Sequence, residues 1–129
     1  MKRFLTLLLF ISISSSAAES FYLICEGKTE SAINGNSYIR DEIISAEVGD
    51  DYIIFDGHEF KNITDSGYWT GYEKKQSEIK FFTKGQGLNL NGTIDRLTGE
   101  VFWSSWNETG REVKTRDFKG FCRKTDKKF

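Results

Sequence analysis

The chain has 129 residues, with 18 lysines and arginines against 19 aspartates and glutamates, one histidine and two cysteines. That length leaves room for one modest core and not two, and so balanced a charge lacks the basic excess of a nucleic-acid binder. With both cysteines better spent on a disulfide, the one histidine falls short of the three or four ligands a zinc site takes.

The first 18 residues read as a cleaved secretion signal. Lys2 and Arg3 form a positive start, Phe4 to Ile13 is an apolar run broken by Thr6 and Ser12, and Ser16-Ala17-Ala18 meets the small-x-small rule for cleavage. The mature chain then begins at Glu19. The apolar run is shorter than the roughly 20 residues a membrane-spanning helix needs, and no other segment approaches that length. Bulky Ile24 before Cys25 argues against lipid attachment at that cysteine. Residues 19–129 are therefore expected to form a single domain in the periplasm or outside the cell. They carry 16 basic against 19 acidic residues.

Export sets the reading of the cysteines. Disulfides persist outside the cytosol, and an even count favours a Cys25–Cys122 bridge over two buried thiols.

In chain order the pattern is that of strands. Phe21 to Cys25 is the first, and Asn34-Gly35-Asn36 marks a turn. Tyr38 to Val48 follows, although Ile43, Ile44 and Val48 also fit helical spacing behind Asp41 and Glu42, so strand and helix both stay open over 40–48. Tyr52 to Phe55 is a compact apolar strand, and His58 to Thr64 a weaker one. Tyr68 to Lys74 and Ser77 to Thr83 come next. Leu88 to Asp95 alternates cleanly, with Leu88, Leu90 and Ile94 on one side and Asn89, Asn91 and Thr93 on the other. Val101 to Trp106 and Phe118 to Arg123 complete the set, and 124–129 reads as a frayed tail. Proline is absent, and Gly, Asn and Asp punctuate the chain. About eight short strands at this spacing predict an all-β antiparallel meander, closed into a barrel or stacked as a sandwich. A meander whose end strands meet removes its own edges and brings the two cysteines side by side.

Ile94-Asp95-Arg96-Leu97-Thr98-Gly99-Glu100-Val101 is the sharpest local motif. Asp95 suits the entry of an Asx-type turn, and Gly99 the left-handed position of a bulged hairpin loop. Arg96 and Glu100 are placed to pair across the hairpin. The stretch resembles an I-[DN]-R-x-T-G turn of small exported bacterial proteins of unknown function. Those proteins also tend to carry a signal peptide, an early Cys close to a Gly (here Cys25-Glu26-Gly27) and a late Gly-x-Cys (here Gly120-Phe121-Cys122). The resemblance spans the mature chain and implies an exported β domain. It brings no activity and no catalytic residues.

Catalysis has little raw material. Ser66, His58 and Asp56 could be combined on paper into a triad, but no nucleophile-elbow Gly-x-Ser-x-Gly is present. Asp50-Asp51 and Asp56 to Glu59 lack the EF-hand spacing. No cofactor fingerprint occurs, so neither enzyme activity nor cofactor nor metal is expected.

The aromatics are more informative. Alternation puts Val101 and Trp103 on one face of their strand, Phe102 and Trp106 on the other. One small core cannot take rings from both faces. Tyr68, Trp69 and Tyr72, after a turn, together with Trp106, are the candidate contact residues for an unidentified protein or small ligand. Asn62, Asn91 and Asn107 each open an Asn-x-Thr triplet, read as chance matches in a bacterial protein. The basic stretch 111–129 reads as a charge complement to its neighbours. A monomeric, non-enzymatic binding or accessory module is the leading expectation, and an inhibitor of a hydrolase such as lysozyme is the alternative.

Overall fold

The computed structural model describes residues 20–65 and 67–126. Residues 1–19 (which include the expected secretion signal), Ser66 and residues 127–129 lie outside the described residues. Every regular element within them is a strand: β1 (Phe21–Ile33), β2 (Asn36–Val48), β3 (Tyr52–Phe55), β4 (His58–Lys61), β5 (Ile63–Asp65), β6 (Tyr68–Lys74), β7 (Glu78–Gly85), β8 (Leu88–Asp95), β9 (Glu100–Thr109) and β10 (Glu112–Thr125).

The strands form one antiparallel sheet in the order β4-β3-β2-β1-β10-β9-β8-β7-β6-β5. It is a meander rolled into a nearly closed barrel, with first and last strands paired along twelve residues, Tyr22↔Thr125 to Ile33↔Lys114. The seam lies elsewhere, between β4 and β6. Asn62, between β4 and β5, spans it by accepting the Tyr72 backbone N–H at its side-chain oxygen (2.9 Å). Asn62 also interrupts the strand expected over His58 to Thr64, splitting it in two. Lys124 and Thr125 pair with Leu23 and Tyr22, so the strand continues two residues into the expected frayed tail.

Over 40–48 the chain is a strand. Ile44, Ala46 and Val48 are buried while Ile43 is 69% exposed, a period of two that a helix would not produce. Core side chains come from all round the barrel. Phe55, Phe60, Phe81 and Trp103 meet at its centre with ring centroids 5.0–5.8 Å apart. Cys25 and Cys122 are directly paired and joined by a disulfide, with Cys25 fully buried. Two residues further along β1, Gly27 faces Gly120. A Cβ on either would overlap the opposite backbone, so the glycines allow the strands to close up where the barrel turns.

Beyond Thr29 and Phe118 the hairpins β1–β2 and β9–β10 continue as a four-stranded arm with no buried residue. Their tips are tied by Asn34, whose N–H donates to Val113 (3.0 Å) and whose side-chain oxygen accepts the Val113 N–H (2.9 Å). A polar cluster closes the core at the arm's base. Arg116 donates to Glu42 (2.6 Å) and Asp56 (3.2 Å), and fully buried Thr29 donates to Glu42 (2.5 Å).

Burial alone would raise the Glu42 carboxyl. Hydrogen bonds from Arg116 and Thr29, with the charges of Arg116 and Arg40, outweigh that and hold it below its ordinary 4.5. A depressed carboxylate adds stability above the unfolded-state value and loses it as pH falls through the folded one. Glu42→Gln should therefore unfold more easily than wild type at pH 7, with the gap narrowing below about pH 4. Urea midpoints measured across pH 2–7 check this, and a gap that stays constant would contradict it.

Candidate binding face

Side chains on the outside of β6–β9 are aligned by strand register. Trp69 on β6 faces Lys84 on β7, Lys84 faces Asn89 on β8, and Asn89 faces Trp106 on β9. All four point outward, because their neighbours Ile79, Phe81, Ile94 and Trp103 take the inward positions. The next row is Gly71, Phe82, Asn91 and Ser104. Two tryptophans thus stand on one face, three strands apart, roughly 14 Å at about 4.8 Å per strand.

Local packing fixes the Trp69 end. The Phe82 ring lies over Gly71, where a Cβ would strike it. Phe82 meets Trp69 edge-on, with centroids 5.1 Å apart and an interplanar angle of 87°. Lys84 extends over the Phe82 ring at 5.6 Å. Trp69 nonetheless remains 57% exposed. A shallow groove beside it is lined by Asn62, Glu73, Lys80, Phe82 and Asn91. Trp106 is 37% exposed.

The other candidate contact residues separate. Tyr68 is half-buried. Tyr72 is buried, and its hydroxyl donates to the Gly49 carbonyl (2.8 Å). Burial pushes the phenol up to about 12, with Arg96 pulling the other way and Asp50 and Asp51 adding to the rise. Tyr72 therefore braces the barrel and presents no ring for contact. Phe82, Lys84, Asn89 and Asn91 were not among the candidates, although the outward alternation of Asn89 and Asn91 was plain in the sequence. What joins them to the tryptophans is cross-strand register.

The motif at Asp95 is a tightly held turn. One Asp95 side-chain oxygen accepts the Leu97 (2.8 Å) and Thr98 (3.1 Å) backbone N–H groups. Those bonds, Thr98 first, hold its carboxyl below the ordinary range. Gly99 takes a φ of 83°, open to glycine at little cost, and its N–H donates to the Asp95 carbonyl (2.8 Å). Arg96 does not pair with Glu100. Its guanidinium donates to the Lys75 carbonyl (2.6 Å) instead, clamping the turn to the end of β6. The turn roofs a cleft of about 390 Å³ floored by Phe21, Leu23, Ile79 and Ile94, beside Cys122. Leu97 projects from its tip, 82% exposed.

Of the triad drawn on paper, Asp56 is turned toward Arg116 (3.2 Å), His58 is exposed, and Ser66 lies outside the described residues. Arg116, part of the basic stretch 111–129, and Glu42, read as suited to a helix start, form the polar cluster at the barrel end with Asp56 and Thr29.

No protein-family model matches the chain, and no curated protein or solved structure is significantly similar to it. The face and the turn must therefore be interpreted from their own chemistry.

Proposed function

We propose that the chain is an exported, non-enzymatic binding or accessory module of the periplasm or cell exterior, and that it engages its target through the outer face of β6–β9. The observation that carries this reading is the row Trp69–Lys84–Asn89–Trp106. Large exposed apolar rings cost solubility, and where they cluster on one face they mark recognition surfaces. Here one ring is also pinned by its neighbour, so little ordering remains to be done on binding.

The test is co-sedimentation with the cell-envelope fraction of the producing cell. Wild-type protein should be retained, and Trp69→Ala/Trp106→Ala should fall at least tenfold, since truncating a hot-spot ring costs about 2 kcal/mol or more. Both rings lie outside the core, so the variant should keep the wild-type far-UV circular dichroism and lose only a few degrees of melting temperature with the Trp69–Phe82 contact. Equal retention of both proteins would sink the reading.

A second reading, inhibition of a hydrolase such as lysozyme, is favoured by the turn at Asp95 to Gly99. A rigid loop with an exposed Leu97 is suited to entering another protein's cleft. If so, molar excess of the protein slows lysozyme lysis of cell walls in a turbidity assay, and Leu97→Asp abolishes the slowing. Unchanged lysis with wild type removes lysozyme as the target.

A further inference from the structure

Resting on the reading of β6–β9 as the binding face, we infer that its ligand is a neutral oligosaccharide chain lying across the strands from Trp69 to Trp106.

Three properties of the face select that chemistry. The flat, electron-rich surface of an indole suits a partner that offers a plane of weakly positive C–H groups, and a sugar ring has such a face. Between the two indoles lie the exposed amides of Asn89 and Asn91. Among the described residues neither has a side-chain hydrogen-bond partner within the chain, and each offers two donors and an acceptor. Hydroxyl groups, which both donate and accept, fit that mixture. A carboxylate or phosphate would use only the donors.

Charge points the same way. The acidic and basic groups beside the face are paired among themselves, Lys80 with Glu78 (3.5 Å) and Glu73 with Lys75 (3.4 Å). Lys84 covers the Phe82 ring. At the face's β10 border Asp117, which accepts from the Ser104 hydroxyl (2.8 Å), and Lys119, over the Phe102 ring, add one charge of each sign, so neither a polyanion nor a polycation meets a set of opposite charges. The shape matters too. The groove is shallow and open where a single small molecule would be enclosed, and the roughly 14 Å between the indoles exceeds the size of one sugar ring. An extended chain can stack on both indoles and place hydroxyls over the amides between them.

The experiment uses the disulfide-bonded protein and its three indole N–H signals in an ¹⁵N–¹H spectrum. The chain has three tryptophans, and Trp103, 2% exposed in the core, serves as the internal control. Tetrasaccharides of chitin, cellulose and maltose are titrated to about 10 mM, with a polygalacturonate oligomer as the anionic comparison. The expected result is that at least one neutral chain shifts the Trp69 and Trp106 signals and leaves Trp103 in place. Trp69→Ala, Trp106→Ala and Asn91→Ala should each weaken that binding, the tryptophan changes by about tenfold. Asn91→Ala alters no packing, so its effect reports the hydrogen bonds.

Binding of the anionic oligomer alone would overturn the inference, as would shifts that survive the loss of both tryptophans. So would the absence of any shift. In that last case the co-sedimentation test separates the two levels. If Trp69→Ala/Trp106→Ala still loses envelope retention, the face binds a target of other chemistry and only the sugar assignment falls. If it is retained like wild type, the face itself is not the binding surface.

Discussion

Replacing Cys25 and Cys122 together by alanine should cost about 3–5 kcal/mol of stability and lower the melting temperature by roughly 15–25 °C. The bridge joins residues 97 apart in sequence, nearly the span of the domain. By the chain-entropy argument a loop of about 100 residues is worth up to about 4.7 kcal/mol. Cys25 is fully buried among core side chains, so alanine there also loses a little packing. Guanidinium unfolding of the oxidised wild type and the double alanine variant measures the loss. The kinetics divide it. β1–β10 is the pairing of greatest sequence separation in the molecule, and without the bridge its loop must close during folding. The folding arm of the chevron should drop while the unfolding arm moves little. A loss confined to the unfolding arm would place the bridge's worth in native packing.

Strands were legible in the sequence wherever one face meets the core. Leu88 to Asp95 and Val101 to Trp106 alternate because Leu90, Ile94, Val101 and Trp103 pack inward. The turns at Asn34-Gly35, Asp56-Gly57 and Gly99 were legible because those residues adopt positive φ. The arm was not. Glu30 to Ile33 and Glu112 to Thr115 contain no apolar alternation, since neither of their faces meets the core and backbone pairing with neighbours holds them. The break at Asn62 escaped notice because its cause, a hydrogen bond to Tyr72 ten residues on, is tertiary. The same limit applies to function. Trp69 and Trp106 were recognisable as excess aromatics, but their placement on one row depends on three successive registers that no short window contains. Glu42 and Arg116 look like ordinary surface charges until pairing brings positions 74 residues apart within 2.6 Å.

Trp103→Ala should be the most damaging single core change, destabilising by about 3–5 kcal/mol. The indole touches Phe55, Phe60 and Phe81, with centroids at 5.3, 5.7 and 5.8 Å. Those rings come from three strands on both sides of the seam. Phe60 on β4 and Phe81 on β7 have no hydrogen-bonded sheet pairing between them, so side-chain packing, with the Tyr72 hydrogen bonds to Asn62 and Gly49, holds the two borders together. Removing the indole leaves a void at that point which the barrel cannot collapse without opening the seam. Trp103→Phe separates volume from polarity. Nε1 of Trp103 is buried with no acceptor within the chain among the described residues, and phenylalanine removes that unsatisfied donor along with part of the ring. The phenylalanine variant should therefore lose only about 1–2 kcal/mol, well under half the alanine cost. Hydrogen exchange locates the damage: in Trp103→Ala, amides of β3, β4 and β6 beside the seam should exchange fastest relative to wild type, while those of the disulfide-linked β1–β10 pair stay protected. Uniform loss of protection around the barrel would mean that the indole supports the whole core equally and gives the seam no particular dependence on it.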